Sequence, residues 1–368
     1  MVTLTKRKGN AIVPKKRTDG RYELKVKISR DGEPRKYKAV YGSTLREAQE
    51  KKRQLEAEIA AGIDATANPT VTAIVQEWLA VKSISARPQT VTAYECATKH
   101  ITKAIGDRQA KGIDVTTARK VIAQIGADVS PYQANRCRKL TAAAWKDGIL
   151  RGVLSANPWE KVPIMPITPT EKRSLTDREL YLIDNADLLP KDRALISVLR
   201  YTGCRISEAM ALTVQDLDFD TLTISINKSL YNGVPGLTKT KAGVRRVPMP
   251  QVLADDLTAY LTTTHIDSPI LFPTRVGTYI NNSTRNKRWK IISHRIFGDA
   301  VPADFTPHIF RHTYASTLVK NHIPPTTAQL LLGHDSLQTT LTVYTHFGYS
   351  DIDTDEVRNI FSSNRSSN

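Results

Sequence analysis

Several things are scarce in this sequence, and each scarcity excludes something. Of 368 residues only Cys96, Cys137 and Cys204 are cysteine. An odd, sparse set without metal-ligand spacing builds neither a disulfide scaffold nor a zinc finger, and it suits a reducing cytosol. No apolar run approaches the ~18 residues of a membrane span. The opening residues Met1 to Lys8 hold no apolar h-region, so a secretory signal is not expected. The expected location is the cytoplasm, with no membrane partner. No G-x-x-x-x-G-K-[ST] loop occurs, and no His-Glu-x-x-His helix accompanies the histidines. That removes the usual signatures of an NTPase and of a zinc hydrolase. Neither a metal nor another cofactor is expected, and no internal repeat is visible.

Positive charge is what the chain has in excess. Lys and Arg total 53 against 36 Asp and Glu, a formal net charge of +17. The excess is uneven. Residues 1–66 carry 17 basic and 9 acidic residues, residues 67–170 carry 14 and 7, and residues 171–368 carry 22 and 20. Nearly all of it therefore lies in the first 170 residues, in segments that read as folded rather than as a tail. A basic folded surface favours a polyanion, and nucleic acid is the usual one. The length suggests two or three domains, and 40% apolar residues can fill more than one core.

Periodicity divides the chain. Tyr22, Leu24, Val26 and Ile28 alternate with Arg21, Glu23, Lys25 and Lys27, which predicts a half-buried strand with a basic outer face. After the turn signal Asp31-Gly32, Tyr37, Ala39 and Tyr41 alternate with Lys36 and Lys38 as a second strand. Thr44-Leu45-Arg46-Glu47 matches a capping box and starts a helix to about Ala61. A basic sheet braced by a helix can enter a DNA groove; a sheet whose lysines merely face water would look the same. Gly62 to Thr70 reads as a linker. From Val71 to Val153 the spacing is helical throughout: Val71, Ile74, Val75 and Leu79 mark one helix, with Trp78 able to join. Ala134, Cys137, Ala142 and Trp145 mark another, leaving Arg136, Arg138 and Lys139 on its other faces. Pro158, Pro163, Pro166 and Pro169 predict a second, extended linker. The rest is mixed α/β. A helix ends at Thr202-Gly203, Leu222, Ile224 and Ile226 form a strand, and Val244 to Met249 is its expected hairpin partner.

Five short stretches of that last region carry candidate chemistry. Thr202-Gly203-Cys204-Arg205-Ile206-Ser207-Glu208 puts an arginine at a helix start, where a phosphate is favoured. The plain alternative is a surface Arg205 paired with Glu208. His308-Ile309-Phe310-Arg311 places a titratable ring and a cation on one helix face. Leu331-Leu332-Gly333-His334 sets a histidine just past a helix end. Thr342-Val343-Tyr344-Thr345-His346 offers a tyrosine, with Tyr314 and Tyr349 as competitors. Lys239 lies in or beside the hairpin turn, with Lys241 two residues on. Each alone has an ordinary structural explanation. Together, two arginines, two histidines, a lysine and a tyrosine suit metal-free attack by tyrosine on a phosphodiester.

In that order and with those flanks, the sequence resembles the tyrosine recombinase (phage integrase) family of the lambda-integrase kind. The match is strongest from Thr202 to His346 and follows the family series Arg, Lys, His-x-x-Arg, His, Tyr as Arg205, Lys239, His308 with Arg311, His334 and Tyr344. The resemblance implies a multidomain fold. Residues 1–62 would be an arm-site DNA-binding domain, a three-stranded sheet plus a helix, using Lys25, Lys27, Lys36 and Lys38. Residues 63–70 would be a linker. Residues 71–154 would be an all-α core-site-binding domain using Arg136, Arg138 and Lys139. A Pro-rich linker at 155–170, a mixed, mainly α catalytic domain at 171–361 and a flexible tail at 362–368 would follow. Tyr344 would be the nucleophile, forming a 3′-phosphotyrosyl link, and Arg205 and Arg311 the phosphate clamp. Lys239 would protonate the leaving oxygen, His308 would take the tyrosine proton, His334 would bond a phosphate oxygen, and Glu208 would orient Arg205. The implied partners are double-stranded attachment sites, core and arm, and three further copies in a synaptic tetramer. A host DNA-bending protein and an excision factor would be further partners, and a segment near Ile352, Val357, Ile360 and Phe361 would pack on a neighbouring protomer or fold back on its own domain. A type IB topoisomerase, or a non-catalytic DNA-binding regulator on the same fold, would share the residue set.

Overall fold

The computed structural model describes residues 16–29, 34–64, 67–168, 173–238, 241–263 and 268–344, without the side chains of Lys241 and of Thr342 to Tyr344. The chain divides into two compact units, Met1–Pro169 and Thr170–Asn368. Both are mainly helical with small sheets.

The first unit opens with strands β1 (Tyr22–Lys27) and β2 (Tyr37–Gly42), antiparallel, backed by helix α1 (Leu45–Ala60). Thr44 caps α1 by accepting from the Glu47 N–H at 3.2 Å, and the Glu47 carboxylate reaches back to the Ser43 N–H at 2.8 Å. The capping box thus closes one residue earlier than its sequence form suggests. Val26 and Leu55 are buried between sheet and helix. The register corrects one expectation. Paired residues share a face, and Lys25 pairs with Ala39, Lys27 with Tyr37 and Val26 with Lys38. The outer face is therefore Glu23, Lys25, Lys27, Tyr37, Ala39 and Tyr41, while Lys38 stands on the face of Val26, at its exposed rim. Lys36, two residues before Lys38, follows the same parity. Among the described residues this sheet has two strands, preceded only by an isolated bridge from Lys16 to Tyr22.

Four helices follow: α2 (Val71–Ser85), α3 (Pro88–Ile105), α4 (Val115–Asp128) and α5 (Pro131–Leu150). Thr70, Asp114 and Ser130 cap α2, α4 and α5 with side-chain oxygens, which satisfies backbone N–H groups that a helix start leaves open. Their core joins Ile74, Trp78, Ile101, Ile122, Cys137 and Trp145. On α2 the fully turned-in aromatic is Trp78, while Leu79 is only partly buried. On α5 it is Ala144, rather than Ala142, that joins Trp145 inside.

Both expected linkers are partly built into this unit. Asp64 donates its N–H to the Gly152 carbonyl at 2.8 Å and accepts from Lys111 Nζ at 2.9 Å. Pro158–Lys161 forms a short 3-10 turn that buries Trp159 against Trp145, ring centroids 5.5 Å apart. Asn135 then grips Met165 through both its N–H and its carbonyl, at 2.8 and 2.9 Å. Prolines do restrict this stretch, but Trp159 and Val162 outweigh them: full burial of one large apolar side chain is worth about 1.5–3 kcal/mol. Arg138 also departs from expectation. Its Nη1 lies 3.5 and 3.4 Å from the carbonyls of Trp159 and Val162, so the guanidinium is docked on this turn.

In the second unit, α6 (Asp177–Asn185), α7 (Pro190–Thr202) and the one-turn α8 (Ile206–Ala209) precede the strands. Strands β3 (Leu217–Asp218), β4 (Thr223–Ile226) and, further on, β7 (Arg245–Pro248) make one antiparallel sheet in the order β3-β4-β7. Between β4 and β7 lies a separate hairpin of β5 (Lys228–Tyr231) and β6 (Val234–Leu237). The expected pairing of Ile224 and Ile226 with Val247 and Arg245 is present, but the two strands are not consecutive. Helices α9 (Gln251–Thr263), α10 (Asn282–Phe297), α11 (Pro307–Lys320), α12 (Pro325–Leu332) and α13 (Leu337–Tyr344) complete the unit. Its core runs from Ile183 and Leu199 through Ile224 and Val247 to Phe272 and Phe310.

Candidate active site

The site grows from three helix ends. Gly203 terminates α7 at φ +60°, a left-handed cap that glycine adopts without strain. The chain then turns at once into α8, with Arg205 at its N-cap. Space enforces glycine here as well, since a Cβ would come within 2.4 Å of the Tyr314 ring. Gly333 ends α12 in the same way at φ +65° and delivers His334. The third end is the start of α11, where Pro307 occupies the first turn and His308 and Arg311 follow on one face.

Glu208 organises the first of these. It is 3% exposed, and its Oε1 accepts from Arg205 Nη1 at 2.7 Å. Its Oε2 accepts from the Arg205 N–H at 3.0 Å and from Arg245 Nη2 at 2.9 Å. Burial alone would raise its pKa, but Arg245 and Arg205 prevail and hold it below the ordinary carboxylate range. It is therefore ionised at neutral pH. The Arg205 side chain remains 42% exposed, fixed at one edge and open at the other.

Arg311 is 3% exposed and donates to two backbone carbonyls, Gly203 at 3.0 Å and Leu332 at 2.7 Å. Among the described residues no carboxylate pairs with it. Burial, then the neighbouring Arg205, lower its pKa to about 9, which still leaves it charged at neutral pH. His334 Nδ1 lies 2.9 Å from the Thr340 hydroxyl. Burial lowers its pKa to about 4, and Arg311, Arg205, Arg245 and His308 push the same way. At neutral pH it is a neutral imidazole. The His308 ring meets the His312 ring edge-on at 4.9 Å.

The structure thus brings Arg205, Glu208, Arg311, His308 and His334 into one electrostatic neighbourhood. Three guanidinium groups share it with one carboxylate, so it carries surplus positive charge in a partly buried place, where an anion is stabilised far more than in water. The α13 backbone ends at Tyr344, whose side chain lies outside the described part, as do Lys239, Tyr349 and the segment holding Ile352 and Phe361. Tyr314 is spent on packing against Gly203, and burial raises its pKa. Cys204, wholly buried, is likewise pushed up to about 11 by burial and stays a thiol. Arg245, which sequence reasoning passed over, is part of the network. Its signal was available: it sits at an inward position of a strand whose alternate residue Val247 is core, and a buried arginine demands a partner. Among the described residues no group of three or more His, Cys, Asp or Glu could hold a metal ion.

Residues 177–350 match the phage integrase family. These residues form a phage integrase family domain, and the curated relatives of the chain are tyrosine recombinases. It is similar to a tyrosine recombinase XerC-like protein of Caldanaerobacter subterraneus, 26% identical over 88% of this chain and 92% of the relative. It is also similar to the tyrosine recombinase XerA of Pyrococcus furiosus, 30% identical over 47% of this chain and 57% of that one. Two solved structures share the fold. One is the Tn1549 transposon integrase in complex with a circular intermediate DNA, with a TM-score of 0.68 at 20% identity over 79% of this chain and 99% of that one. The other is a lambda integrase tetramer bound to a Holliday junction, with a TM-score of 0.60 at 17% identity over 88% and 95%. The recombinase is thus a DNA-acting, site-specific enzyme of the tyrosine class. No helix among its described residues is long and apolar enough to cross a membrane.

Proposed function

We propose that this recombinase integrates and excises a phage or other mobile element, cutting and rejoining DNA through Tyr344. The observation that carries this is the surplus of arginine around one neutral histidine, beside α11 and α12, on which the Tyr344-bearing helix α13 packs. Arg205 and Arg311 bind the non-bridging oxygens of the scissile phosphate and stabilise the extra charge of the pentacoordinate transition state. The Tyr344 oxygen bonds to phosphorus as the bond to the 5′-oxygen breaks. His308 assists removal of the tyrosine proton, which an unperturbed phenol keeps at neutral pH. Lys239 supplies the proton that the leaving 5′-oxygen takes up. His334, neutral by virtue of its burial, donates a hydrogen bond rather than charge. Glu208 orients Arg205 and stays out of the bond changes. The bond energy is kept in the 3′-phosphotyrosyl link, so rejoining reverses the same steps.

The N-terminal sheet is the arm-site reader in this account. Its outer face combines Lys25 and Lys27 with the aromatic Tyr37, 55% exposed, and Tyr41. Arg17 and Arg21 lie over the Tyr41 ring, 5.5 and 5.3 Å from its centroid. The helical part of the first unit, with Arg136 and Lys139, takes the core site. Four protomers act together, because exchange between two duplexes needs four strand cleavages. The test is recombination between two DNA duplexes carrying the element's attachment sites. Joined products that require both sites support an integrase. Relaxation of a single supercoiled plasmid with no site pairing would assign the chain to the topoisomerase class.

A further inference from the structure

Arg245 makes three bonds, and each goes to a different part of the site. Its Nη2 donates to Glu208 Oε2 at 2.9 Å, and Glu208 in turn holds Arg205. Its Nε donates to the Leu331 carbonyl at 2.7 Å, one residue before the Leu332 carbonyl that receives Arg311. Its Nη1 donates to the Gly243 carbonyl at 3.1 Å, on its own strand's entry. The side chain is only 5% exposed, so it is withdrawn from any bound DNA. Gly333 packs directly on it: a Cβ there would meet Arg245 Nη1 at 2.8 Å and the Ala242 carbonyl at 3.0 Å. The planar fork of one arginine therefore spans α8, the end of α12 and the start of β7. A lysine offers a single point of charge and cannot bond in these three directions at once.

We propose that Arg245 is a positioning residue that sets the separation of Arg205 and Arg311, so that both reach the non-bridging oxygens of one phosphate; this rests on the clamp role given to Arg205 above. Remove Arg245 and Glu208 keeps one cation, Arg205, but loses its tie to α12. The α12 end then keeps Arg311 and loses its tie to α8. Each arginine stays in the fold, but their spacing is no longer imposed. The cost falls on the charged transition state and leaves the grip on flanking DNA untouched.

Single-turnover cleavage by full-length protein tests this on two DNA substrates. One carries the ordinary scissile phosphate, the other a methylphosphonate there, which lacks one charged oxygen. Wild type, Arg205→Ala, Arg245→Met and Arg245→Lys are compared, with DNA affinity and thermal melting measured for each. Arg205→Ala is expected to lose far more on the phosphate than on the methylphosphonate. Both Arg245 variants should show the same selective loss, with the rate ratio between the two substrates falling at least tenfold and DNA affinity near wild type. Arg245→Lys keeps a buried cation beside Glu208, so it gives the answer if Arg245→Met does not fold. A wild-type ratio in a cooperatively melting Arg245→Lys protein, or equal losses on both substrates, would overturn the inference and leave the clamp standing. No selective loss in Arg205→Ala would overturn the clamp itself, and this inference with it.

Discussion

Charge at single residues decides the chemistry. Arg311 is buried with no carboxylate partner among the described residues, an arrangement that costs free energy until an anion arrives. Replacing Arg205 or Arg311 by alanine should slow single-turnover cleavage by roughly 10²-fold or more, the scale for losing a preorganised donor to a developing charge. Near-wild-type rates would remove that residue from the clamp. His334 gives a pH test. Its folded pKa of about 4 lies below the ordinary 6.5. Between those values the unfolded chain binds the proton and the folded chain does not, so stability falls as pH drops from about 6.5 toward 4. His334→Asn lacks this contribution. The stability gap between wild type and variant should narrow across that window, and two parallel curves would contradict the burial of a neutral His334. These residues were legible because their order and flanks form a pattern. For Arg245 only the inward position on its strand could be read; its role could not, since it depends on Glu208 and Leu331, which are distant in sequence.

At the scale of elements, two glycine-terminated helices aim the site. Gly203→Ala would force a non-glycine residue to φ +60° and push a methyl into Tyr314. We expect a loss of roughly 1–3 kcal/mol in chemical unfolding, the usual range for backbone strain, and slower cleavage because Arg205 starts where that cap ends. An unchanged midpoint would mean the cap relaxes freely. The start of α1 and the β4–β7 pairing could be read from a capping box and from alternation. The β5–β6 hairpin was missed although it carries a strong signal: Asn232 and Gly233, both at positive φ, form its turn. Its second strand, Val234-Pro235-Gly236-Leu237, lacks alternation, and that hid it. Proline spacing misled in the other direction at Trp159, because composition does not reveal which side chain finds a core. The same limit applied to Lys38, whose face was set by pairing register rather than by its own strand's pattern.

Across the whole molecule, the excess charge lies in the unit that would hold DNA and not in the one that would cut it. Removing residues 1–62 should weaken binding to arm-type sites and flatten the dependence of affinity on salt, since fewer phosphate contacts release fewer counterions. Cleavage at a core site should persist. Unchanged arm binding after the deletion would give this sheet another task. The account as a whole stands on one covalent event. Full-length protein would be mixed with DNA carrying the element's junctions, in chelator and without nucleotide, then denatured and examined for a protein–DNA adduct, with Tyr344→Phe alongside. The account predicts an adduct joined through a 3′-phosphate in the intact protein and none in Tyr344→Phe, with DNA binding retained in both. An adduct that persists in Tyr344→Phe, or cleavage that leaves no adduct at all, would contradict it.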